Sequence, residues 1–131
     1  MDATWETAAK EGDASSLAAV ITAGADVDAL DHHGQSALMR AATGGHLAAV
    51  HVLVEAGADL DVTAKYGLSA TMLAVVNRHG EVAEVLAEAG ADLGLVGSGA
   101  PGFVGKTAAD LAGESGQAEL AARLSAGDET A

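Results

Sequence analysis

The five histidines, His32, His33, His46, His51 and His79, are the residues of this sequence best suited by type to hold a metal or carry a proton. Their spacing points elsewhere. His46 and His79 lie 33 residues apart in matching local sequence, so they hold one repeated position and form no local cluster. His32 and His33 are neighbours in a turn sequence and need not face the same way. His51 sits among apolar residues of a helical pattern and reads as surface. No cysteine is present, and no His/Asp spacing completes a ligand set. The serines show no nucleophile elbow, and Ser36 and Ser69 stand where helix N-caps belong. Asp26, Asp59 and Asp92 recur singly at 33-residue intervals, which marks an architectural residue and not a catalytic carboxylate pair. Gly105-Lys106-Thr107 has the ending of a phosphate loop, but the stretch before it lacks the required spacing and a preceding strand. These residues predict no enzyme, no cofactor and no metal site.

The elements that would position any site follow from one repeated word. Ala23-Gly24-Ala25-Asp26 returns as Ala56-Gly57-Ala58-Asp59 and as Ala89-Gly90-Ala91-Asp92, each copy 33 residues after the last. A period of this size signals stacked helical repeats. The predicted organisation is a single domain over 1–131, all-α, built of about four helix-turn-helix units at 1–30, 31–63, 64–96 and 97–124. A polar tail at 125–131 is expected to fray. Apolar spacing of three and four, with breaks at Gly12, Gly44-Gly45, Arg78-His79-Gly80 and Gly116, predicts helices over 5–11, 14–23, 37–43, 47–56, 70–77, 81–89, 108–112 and 117–124. Thr4, Ser36, Ser69 and Thr107 are the expected N-caps. Gly24, Gly57 and Gly90 are placed to end second helices in a left-handed conformation. The interval from Gly34 to Gly67 is 33 residues, whereas that from Gly67 to Gly105 is 38. About five extra residues within 94–104 should therefore form an enlarged, mobile tip.

Composition narrows the function class. Half of the residues are apolar, chiefly Ala, Leu and Val, and only Trp5, Tyr66 and Phe103 are aromatic, a mixture suited to closely packed helices. Nineteen acidic residues against six basic ones give a formal charge of −13, which argues against binding a phosphate backbone. No apolar run approaches the roughly 20 residues that span a bilayer. The opening residues lack a basic region followed by an apolar stretch, so no secretory signal is read there. A cytoplasmic monomer that binds neither membrane nor nucleic acid is the expectation.

The segments Gly34-Gln-Ser-Ala-Leu-Met-Arg-Ala-Ala42, Gly45-His46-Leu47, Glu55-Ala-Gly-Ala-Asp59 and Gly105-Lys-Thr-Ala-Ala-Asp-Leu-Ala112 resemble those of ankyrin-repeat proteins. The resemblance covers nearly the whole chain. Departures are clear: Ser36-Ala37, Ser69-Ala70 and Thr107-Ala108 stand for the family's Thr-Pro, Met39 and Met72 for its helix-start histidine, Thr71 for a buried leucine, and Arg78 for the break glycine. Unit three is thus the least ideal internal unit. The resemblance implies a concave surface of turn tips and first helices that binds a protein. On the repeat template the tips are His32, His33, Lys65, Tyr66, Phe103 and Val104, and the helix positions include Arg40, Thr43, Val76 and Asn77. Tyr66 with Arg40 and Lys65 would anchor the partner, since aromatic and basic residues commonly do so. The implied function is a non-catalytic protein-interaction module or scaffold. The alternative from charge is an acidic immunity or inhibitor protein that neutralises a basic partner.

Overall fold

The computed structural model describes residues 3–129, with side chains through Ser125. Eight α-helices and one 3-10 turn occur among these residues. They are α1 (Ala3–Glu11), α2 (Ala14–Thr22), α3 (Ala37–Gly44), α4 (Leu47–Glu55), α5 (Ala70–Val76), α6 (Gly80–Glu88), α7 (Ala108–Glu114) and α8 (Ala118–Glu129), with the 3-10 turn at Lys65–Gly67. Only isolated bridges, Leu30 with Ser36, Thr63 with Ser69 and Gly97 with Val104, mark the tips between units.

Two layers follow from the alternation. α1, α3, α5 and α7 pack in sequence as the inner layer, and α2, α4, α6 and α8 as the outer. The inner helices approach closely because one repeat position is alanine in every unit: Ala8, Ala41, Ala74 and Ala112 are all buried. Leucine holds the matching place between outer and inner layers, with Leu53, Leu86 and Leu124 each at most 1% exposed. One helix pair cannot cover such residues alone, so each unit is stabilised by its neighbours.

The caps form as the sequence predicts for three helices. Ser36 Oγ accepts from Met39 N at 3.2 Å, and Ser69 Oγ accepts from Met72 N at 3.3 Å. Thr107 Oγ1 accepts from Asp110 N while the Asp110 carboxylate accepts from Thr107 N, a reciprocal capping box. Met39 and Met72 fill the buried space where the resemblance implies histidine. Thr4 is not a cap: α1 begins at Ala3 and takes Thr4 into its first turn. α8 also runs past Leu124 to Glu129, because extending a formed helix adds a hydrogen bond per residue without a new nucleus. The expected frayed tail is therefore helical to Glu129, and 130–131 lie outside the described residues.

Unit three departs from its neighbours as its sequence suggested. The break residues Gly12, Gly45, Arg78 and Gly116 all have left-handed φ, at 73°, 71°, 65° and 80°, and only Arg78 among them carries a side chain.

 Arg78 offsets the cost of that conformation in part by donating from a guanidinium nitrogen to Ser115 O in unit four, at 2.9 Å. Thr71, at the position of Leu38, is 2% exposed and its hydroxyl has no partner among the described residues. Thr71→Val keeps the shape and removes that unpaired oxygen. It is expected to stabilise the protein by about 1 kcal/mol, read as a higher urea midpoint with the same slope. A lower midpoint would show that the hydroxyl is satisfied.

Candidate functional site

The tips begin from local turn chemistry. In unit two, Asp31 is buried and its Oδ1 accepts from His33 N at 2.8 Å and Gln35 N at 3.0 Å. Its Oδ2 takes Arg40, Nε at 2.8 Å and a terminal nitrogen at 2.7 Å. Burial pushes the Asp31 carboxyl pKa up, but the Gln35 and His33 amides and Arg40 outweigh it and hold the group below its ordinary value. A depressed folded-state pKa contributes stability above the unfolded pKa and loses it as pH falls through the folded value. Asp31→Asn keeps a turn acceptor but loses the charge. It should cost about 1–3 kcal/mol at neutral pH, and the difference from the parent should vanish in acid, where Asp31 itself is neutral. A deficit that persists unchanged at the lowest pH would show that Arg40 is not the cause.

This pairing alters one expectation. Arg40 is no open cation for a partner carboxylate, because its guanidinium already holds one. The histidines of the same tip are exposed, with rings 4.0 Å apart, and His32 Nδ1 lies 3.5 Å from Glu6 Oε1. Thr43 Oγ1 is turned inward onto Met39 O at 2.8 Å. Asn77 is exposed and donates to Leu73 O at 2.8 Å. Val76 is exposed on α5.

Unit three has Ala64 where unit two has Asp31, and its turn is correspondingly different. Tyr66 takes φ 66° and Gly67 φ 69°, with Gly67 N donating to Ala64 O. The extra residues after Leu95 close over this turn. Ser98 N donates to Tyr66 O at 2.7 Å, and the Phe103 and Tyr66 ring centroids are 5.8 Å apart. Gly99 lies so near the Tyr66 ring that a Cβ there would stand 3.3 Å from it. Two backbone bonds, Gly97 N to Lys106 O and Gly105 N to Gly97 O, tie the base of the segment. The enlarged tip expected at 94–104 is thus packed and bonded to unit three. Tyr66 and Phe103 are brought together half-buried, and Lys65 Nζ lies over the Tyr66 ring at 4.9 Å.

The repeat histidines bind unit to unit. His46 Nε2 is 3.0 Å from Lys10 O, and the His79 ring fills the space beside Gly45. The aspartates do the same along the opposite edge: Asp28 Oδ1 accepts from Asp59 N, and Asp61 Oδ1 from Asp92 N, at 2.8 and 2.7 Å. Sequence reasoning gave Asp59 and Asp92 an architectural role but missed Asp28 and Asp61; the recurring Asp-x-Asp at 26–28 and 59–61 was the available signal. Among the described residues no three His, Asp or Glu side chains are placed to hold a metal.

The family model of ankyrin repeats, in three copies, matches residues 5–96 of this chain of stacked helix pairs. The chain belongs to the ankyrin-repeat family. No curated protein matches the chain. Ankyrin repeats are generally protein–protein interaction modules, and the family is typically non-enzymatic. Unit four lies outside the matched residues, yet α7 and α8 continue both layers of the ankyrin stack. No helix among the described residues is long and apolar enough to cross a membrane.

Proposed function

We propose that this ankyrin-repeat protein is a non-catalytic module that docks a protein on its tips and inner helices. One observation carries the reading. The large hydrophobic residues left exposed are Leu30, Val76, Val96 and Val104, and all four stand on tips or on inner helix α5. None stands on an outer helix among the described residues. Exposed apolar side chains gathered on one side mark interaction surfaces. His32, His33, Lys65, Tyr66, Asn77 and Phe103 share that side, while Arg40 and Thr43 support it from within.

The test places a photo-crosslinking residue at Val76 and, in a second preparation, at Glu55 on outer helix α4. A partner from the native host should crosslink from position 76. Crosslinking from position 55 alone would move the interface to the outer face.

A second reading, an acidic neutraliser of a basic partner, is favoured by the row of carboxylates at Asp26, Asp28, Asp59, Asp61 and Asp92 on a molecule of formal charge −13. Charge-driven association of that kind falls steeply with added salt, whereas docking on the apolar side falls little.

A further inference from the structure

The surface proposed above is not uniform, and its most developed part is the junction of units three and four. There the extra segment joins two tips into one body through the Ser98–Tyr66 backbone bond and the Tyr66–Phe103 ring contact. Tyr66 is held in a left-handed conformation that is uncommon for a residue with a bulky side chain. Such a conformation persists where its surroundings over-determine it, and strained positions of this kind cluster at ligand-contacting sites.

Arg40 is paired with Asp31, Lys106 with Glu114 and Arg123 with Glu84. Lys65 is exposed and makes no ion pair among the described residues; its ammonium rests over the Tyr66 ring. The ring attracts the cation without supplying the full negative charge a carboxylate would. Lys65 is thus a positive charge left open to an acidic group. In the same fused body are Val96, 49% exposed, whose carbonyl oxygen would stand 3.1 Å from a Cβ added at Gly67, and Val104, 57% exposed and paired with Gly97 in the bridge.

We propose that the fused tips of units three and four bind a partner segment in which an aspartate or glutamate neighbours a large apolar side chain. Lys65 takes the carboxylate, and Val96 and Val104 give the apolar side chain its ground. The assignment rests on the tip-side reading of function and names the chemistry of the partner.

A displayed library of random peptides, selected against the full chain, tests it without a known partner. The expected winners carry an acidic residue next to Leu, Ile, Phe or Trp. Their affinity should fall about tenfold or more on Lys65→Glu and on Val104→Asp, and Lys65→Arg should restore most of the loss. Lys65 and Val104 are exposed, and an unchanged thermal midpoint confirms that each variant is folded. Acidic winners indifferent to Lys65→Glu but lost on Val76→Asp would overturn this assignment and leave the tip-side function standing. Basic winners lost only on Glu81→Lys or Glu119→Lys would overturn both. An absence of enriched sequences would overturn the assignment as well.

Discussion

Leu53→Ala is expected to destabilise the protein by about 2–5 kcal/mol. Leu53 is 0% exposed on α4, an internal outer-layer helix with units on both sides. Ala49, one turn earlier on the same helix, and Ala83 of the same core are themselves small and buried. They cannot grow into the space, so the truncation leaves a cavity in addition to the lost transfer energy. In a stack the defect also weakens the seating of the adjacent units. Domains of this size are commonly stable by about 5–15 kcal/mol, so the loss is a large share of the whole. The measurement is a urea titration with the parent run alongside. A lower midpoint is expected. An unchanged midpoint would mean that the repeat register linking Leu53, Leu86 and Leu124 is wrong.

That register was legible because the signals that fix it are local. The second helices of units one to three each end at an alanine followed by glycine, and Gly57 and Gly90 do adopt left-handed φ, at 86° and 102°. Ser36, Ser69 and Thr107 each sit one residue before a helix. Propensity, capping and periodicity agree at these places, which is why α3 begins at Ala37 and α5 at Ala70 as read. The candidate site was legible in its residues and less so in its state. That Arg40 would reach back to Asp31 depends on a turn wrapping toward the helix that follows it. That the extra segment would pack on Tyr66 depends on how two tips meet, and no local pattern encodes it. The Ala64 substitution for the turn aspartate was the one hint that the unit-three turn would differ.

Gly45→Ala is the second large expected loss, about 2–4 kcal/mol, of which about 1–2 kcal/mol is the left-handed backbone itself. Gly45 has φ 71°, and a Cβ there would lie 2.5 Å from His79 Nδ1. The contact includes the base of the ring, so the imidazole must move as a whole and disturb the seating of unit three on unit two. Gly57 separates the two causes. Its φ is 86°, but no atom lies within 4 Å of the added carbon. Gly57→Ala should therefore cost only the backbone share. Arg78 shows that the break position tolerates a side chain when the next unit changes too. Where unit three has His79, unit four has Gln117, whose amide nitrogen donates to Val75 O at 3.0 Å and to Ser115 Oγ at 2.7 Å. Combining Gly45→Ala with His79→Ala should then cost less than the sum of the two changes, because the residues are in contact. Equal losses from Gly45→Ala and Gly57→Ala, with strict additivity in the double variant, would show that the histidine gives way freely and that the close approach has no energetic weight.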